Sequence, residues 1–160
     1  MKLTKFRIFL GLTLGYAILI FYLSSISDLN LPRTQLHLLN DIISNLMHSD
    51  YAFLLAPLSP LILQQDKVLH IILFFGFGLL IYLTLRSSGK TVVNAFIFAI
   101  LLGSLYGVSD EFHQMFVPHR TASAMDLAAD ITGILFAQLV IVSFYILKKV
   151  YVRMFEKKKE

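Results

Sequence analysis

The chain has 160 residues, of which 57% are hydrophobic and 15% charged, with 14 Lys and Arg against 10 Asp and Glu and neither Cys nor Trp. Soluble domains carry about 25% charge, so an ordinary soluble globule, a disordered chain and a disulfide scaffold are all poor fits. The apolar residues gather in long runs, which makes lipid the natural solvent and predicts an all-α integral membrane protein, read as one domain over residues 1–160.

Four runs are long enough to cross a hydrocarbon core, which takes roughly 17 to 25 residues of helix. They fall near 6–26, 67–85, 92–112 and 126–147. The first follows Lys2, Lys5 and Arg7 and closes at Ser24, Ser25 and Ser27. A basic start and an apolar run also describe a secretory signal, but this run exceeds the roughly 7 to 15 residues of a signal core, so it is read as a retained span. Between the first two runs, Leu36, Leu39, Ile42, Ile43, Leu46 and Met47 recur at helical spacing among Gln35, Asn40, Asp41, Asn45 and Asp50, which predicts a short amphipathic helix on the membrane surface. Tyr51 to Leu63 is apolar but short, and Pro57 and Pro60 each lack a backbone donor. An interfacial or re-entrant stretch on the outer side is expected there.

Basic residues set the orientation. Lys2, Lys5, Arg7, Arg86, Lys90, Lys148, Lys149, Arg153, Lys157, Lys158 and Lys159 lie on one side of the predicted spans, leaving Arg33, Lys67 and Arg120 on the other. Both termini are therefore expected in the cytoplasm. The acidic residues sort oppositely, with eight outside and only Glu156 and Glu160 inside. The net basicity is thus an anchor to anionic lipid headgroups and does not argue for nucleic acid. Gly11 with Gly15, and Gly103 with Gly107, fit the small-xxx-small pattern of close helix packing.

Chemistry is expected where ionisable groups meet the membrane, because such groups are costly near lipid and usually face a cavity. Asp66, Lys67 and His70 can share one face at the start of the second span. His70 there is either a general base or metal ligand oriented by Asp66, or a residue that ties two helices together. Tyr106, Asp110 and Gln114 stack on one face at the end of the third span; Glu111 lies about 100° further round, and His113 points elsewhere and is expected to be solvated. Adjacent carboxylates at a membrane boundary need a cation, a proton or a donor. Pro118 ends that helix, and Ser123 to Asp126 fits the box that caps a new one. Asp130 lies a turn deeper than capping can explain and requires a partner, for which Arg120 and Lys67 are the available cations. Arg120 can also grip a phosphate or carboxylate in bidentate fashion.

The same residues resemble the VanZ-like family of small bacterial membrane proteins. The resemblance is carried by Asp66-Lys67-x-x-His70, by Tyr106-Gly107-x-x-Asp110-Glu111-x-x-Gln114-x-Phe116-x-Pro118-x-Arg120, and by Asp126-x-x-x-Asp130-x-x-Gly133, strongly over residues 66 to 133. One departure is Asp130, where the family pattern more often has Asn. The resemblance implies a multi-pass protein of the bacterial cytoplasmic membrane, related to one that gives resistance to teicoplanin-type lipoglycopeptides, and it implies no established catalytic residue. A phosphotransbutyrylase label used for some members is not carried over, since nothing here resembles an acyl-phosphate or coenzyme A site.

Two functional readings follow. In the first, an outward polar site binds an envelope component, a lipid headgroup or a lipid-linked cell-wall precursor, through Lys67, His70, Tyr106, Gln114 and Arg120, with the carboxylates either binding a divalent cation or orienting the basic groups. In the second, Asp110, Glu111, Asp126 or Asp130 hold a metal in an integral-membrane hydrolase or transferase, with His70, Glu111 and Asp110 as the candidate catalytic groups. A purely structural role, tying helix ends together, is the third alternative.

Overall fold

The computed structural model describes residues 2–26, 41–50 and 52–156. Residues 34–40 of the expected amphipathic helix and the basic tail at 157–159 lie outside the described residues. All regular structure among the described residues is helical, and four long helices carry it: α1 (Lys2–Ser24), α2 (Gln65–Ser87), α3 (Val92–Gln114) and α4 (Ala124–Glu156). Each is long and apolar enough to cross a membrane. The three 23-residue helices are about 35 Å long at 1.5 Å per residue, close to the roughly 30 Å of a hydrocarbon core.

The fourth helix exceeds its expected end at 147 by about two and a half turns. Lys148, Lys149 and Arg153 are therefore helical, on an exposed continuation of the span. The apolar run does stop near 147, but nothing after it breaks a helix, because Gly and Pro are absent up to the C-terminus.

The second helix is central. It packs on the other three, most extensively on α4, with α1 against its outer flank. Ile20, Phe74, Phe77, Ile81, Tyr82, Ala95, Ala99 and Ile134 form the core, and the Phe74, Phe77 and Tyr106 rings meet within it. Large apolar side chains such as Ile18, Leu105, Phe112 and Leu139 stay exposed on the helix exteriors. That pattern suits helices whose outer faces are solvated by lipid.

A tight hairpin joins α2 to α3. Gly89 sits at φ 96, the Gly89 and Lys90 amides bond back to Arg86 and Leu85, and Thr91 then caps α3 by accepting from the Asn94 amide. Only a residue without a Cβ takes that left-handed position at little cost. At the opposite end, the α3 to α4 connection turns through Pro118 and His119, with the Arg120 amide bonded to the Val117 carbonyl and His119 at φ 62.

Between α1 and α2, residues 41–47 form a helix on which Ile43 and Met47 are half-buried while Ile42 and Leu46 stay exposed. Short helical turns follow at Ala52–Leu55, Ala56–Leu58 and Ser59–Ile62, with Pro60 in the first turn of the last one and Leu61 buried. The prolines thus break the segment into single turns, as their missing donors require.

Close backbone approach fixes the α2–α4 crossing. A Cβ on Gly133 would collide with the Ile71 carbonyl and lie 2.9 Å from the Phe75 nitrogen, and one on Gly78 would lie 3.3 Å from the Ile134 Cα. The expected packing role holds for Gly103 and Gly107, which face Ile134 and Asp130 on α4. It fails for Gly11 and Gly15, which have open space where a Cβ would sit. Helical spacing marks a small-residue face without saying whether a partner helix lies against it.

Candidate functional site

One end of the bundle collects the C-terminal ends of α1 and α3 and the N-terminal ends of α2 and α4. Here α2 presents Lys67 and His70, α3 presents Asp110, Glu111 and Gln114, and α4 presents Asp126 and Asp130. All of these are buried except His70, which is partly exposed.

Two cross-helix pairs join α2 to α4. Lys67 Nζ meets Asp126 Oδ1 and also Asp66 Oδ2 at 2.6 Å. Three to four residues further into each helix, His70 Nδ1 lies 2.8 Å from Asp130 Oδ1. The two pairs are in register because α2 and α4 run parallel through the Gly133 crossing, one turn below. Gly107 supplies the remaining space: a Cβ there would stand 3.2 Å from Asp130 Oδ2. The partner of Asp130 is therefore His70, where the sequence suggested Arg120 or Lys67.

The α3 carboxylates also perform structural work. Glu111 Oε2 accepts the Ser123 amide at 2.6 Å, and Ser123 Oγ in turn accepts the Asp126 amide at 3.3 Å, so Glu111 and Ser123 together satisfy donors that a helix start leaves open. Gln114 Nε2 donates to Asp110 Oδ2 at 3.0 Å and to Ser24 Oγ at 3.1 Å, tying α3 to α1.

Each of the three carboxylates thus spends one oxygen on the fold. The other, Asp110 Oδ1, Glu111 Oε1 and Asp130 Oδ2, is buried without a hydrogen-bond partner. Ligand atoms from His70, Asp110, Glu111 and Asp130 all lie within 4.8 Å of one another. The structure gathers these four into one group. Asp126, expected beside them, is drawn off by Lys67.

The remaining expected residues sit around this group. Tyr106 OH donates to the Ala17 carbonyl at 2.6 Å, deeper in the bundle. Arg120 donates to the Ile26 carbonyl, through Nη2 at 2.9 Å and Nε at 3.3 Å, clasping the α3–α4 connection to the end of α1. His113, expected to be solvated, is half-buried: its ring stacks on Phe21 and Nε2 lies 3.0 Å from Ser25 Oγ. Sequence reasoning did not find the Glu111 to Ser123 bond. Its one signal was that Glu111 precedes a capping serine across a short connection.

The comparison with protein families matches the model described as VanZ/LLP1 over residues 8–147. The chain belongs to the VanZ/LLP1 family. The match takes in α2, α3 and most of α1 and α4, with every residue of the polar group, so this VanZ/LLP1 member carries its ionisable cluster inside the matched region. No curated protein matches the chain significantly, and no solved structure does.

Proposed function

We propose that this VanZ/LLP1 protein acts as a single domain in the bacterial cytoplasmic membrane, both termini in the cytoplasm, and serves the cell envelope through the polar group at its outer end. Its ligand on this reading is a phosphate-bearing lipid headgroup or a lipid-linked cell-wall precursor, with a link to teicoplanin and lipoglycopeptide resistance.

The observation that supports a ligand at this end is the set of buried carboxylate oxygens left without partners on Asp110, Glu111 and Asp130, which suit a cation, with the phosphate group held at the rim. Helix tying needs one oxygen from each residue and leaves the second with a desolvation cost of about 1 to 3 kcal/mol or more. A fold under no other demand would place amides or apolar groups there. Arg120 adds a phosphate contact at the rim, because its bonds to Ile26 use Nε and Nη2, while Nη1 has no hydrogen bond among the described residues. Residues 41–63, with Phe53, Leu54 and Leu63 exposed, would lie along the outer interface.

Expression of the wild type, Glu111→Gln and Arg120→Ala in a teicoplanin-susceptible Gram-positive host tests this, with membrane abundance matched. Resistance raised by the wild type alone is the expected result. Equal resistance from all three makes the cluster helix-end architecture.

A second reading, a metal-assisted hydrolase or transferase, is favoured by the His70–Asp130 pair standing beside partnerless carboxylate oxygens. It predicts that the reconstituted protein releases inorganic phosphate from a diphosphate lipid and that Glu111→Gln abolishes the release.

A further inference from the structure

We infer that His70, Asp110, Glu111 and Asp130 form a binding site for a single divalent transition-metal ion, in the manganese to zinc range, between α2, α3 and α4. This rests on the reading of the cluster as a ligand site and names what the cluster holds.

Size comes first. Asp130, Asp110 and Glu111 are 0%, 4% and 6% exposed, so a group as large as a headgroup reaches only the rim beside Arg120, and what the carboxylates themselves hold is as small as an ion. Donor atoms around a small ion bound at about 2.1 Å stand up to about 4 Å apart. The observed 4.8 Å limit closes to that by movements of under an ångström.

Charge points the same way. Three carboxylates are buried together inside the bundle, and the nearest lysine is already engaged by Asp126 and Asp66. Buried charges require a counter-charge, and a divalent ion supplies it at the point where the oxygens converge.

Donor type narrows the choice of ion. Magnesium and calcium take oxygen ligands, whereas imidazole suits first-row transition metals. A set of one imidazole and three carboxylates therefore favours manganese, iron or zinc. Asp126 is outside the set because its Oδ1 holds Lys67.

The test uses the full chain in detergent, without a polyhistidine tag, stripped with chelator and titrated with zinc, manganese, magnesium or calcium chloride. Binding of about one equivalent of zinc or manganese per chain is expected, with a rise in Tm that chelator reverses. Magnesium and calcium should bind more weakly. Glu111→Gln and Asp130→Asn should each weaken binding by about 10-fold or more, and Asp126→Asn should retain it.

No binding by wild-type protein overturns the proposal, as does loss of binding in Asp126→Asn together with its retention in Asp130→Asn. Because the wild-type titration requires no variant to fold, a collapsed mutant leaves the test intact. Metal bound by a protein that leaves susceptibility unchanged sinks the envelope reading alone. Altered susceptibility without metal binding sinks this one alone.

Discussion

Lys67 shows how one residue can hold the site without belonging to it. It is buried, it bonds Asp126 across the helix pair, and its second partner Asp66 is 63% exposed. Asp66 can be solvated if the lysine is lost, but Asp126 cannot. Breaking a buried ion pair from one side costs about 3 to 5 kcal/mol, whereas replacing both partners with apolar residues is often neutral. Lys67→Met should therefore lower the unfolding free energy in detergent by about that amount, and Lys67→Met/Asp126→Leu should regain most of it. Thermal or denaturant unfolding of both proteins decides the matter, and a wild-type Tm for Lys67→Met would show that the pair carries no stability. Arg120 differs in kind, since its partner is a neutral carbonyl that water can serve. Its replacement by alanine should cost less, about 1 kcal/mol.

At the level of elements, the cluster depends on how closely α2 and α4 cross. Gly133→Ala drives a methyl group into the Ile71 carbonyl, and neither backbone can yield without spreading the helices that join His70 to Asp130. Overpacking of this kind costs about 1 to 3 kcal/mol, so the variant should lose Tm and weaken metal binding together. Gly15→Ala, placed where a Cβ meets open space, should change neither. Equal behaviour of the two variants would remove the crossing from the account. The pair also marks what was legible in advance. Hydropathy placed the four spans, and helical spacing placed Asp66, Lys67 and His70, or Tyr106, Asp110 and Gln114, on common faces. Which face meets which neighbour depends on the crossing of helices remote in sequence, and no period within one helix encodes it. Hence Asp130 was expected against Lys67 or Arg120 and is found against His70, and Gly11 was read like Gly103 although only the latter has a neighbour.

The whole molecule separates its charges by end. Lys5, Arg7, Arg86, Lys90, Lys148, Lys149 and Arg153 belong to the end where α1 begins and α4 finishes, while Asp66, Asp110, Glu111, Asp126 and Asp130 belong to the other. Basic residues near span ends stay on the cytoplasmic side. The α4 extension beyond residue 147 adds to the argument, because its lysines and arginine are exposed along a helix that continues past the apolar span, where such residues favour anionic headgroups. The acidic end should accordingly face outward, and the chain is suited to a direct check because it has no cysteine of its own. Thr121 is exposed on the α3–α4 connection, and Ser88 is exposed in the α2–α3 hairpin at the opposite end. In intact cells a membrane-impermeant maleimide should label Thr121→Cys and spare Ser88→Cys until the membrane is opened. The reverse pattern would turn the cluster toward the cytoplasm. That result would end the envelope reading, yet it would leave the helix bundle and its metal site untouched, since neither depends on which side of the membrane the carboxylates meet.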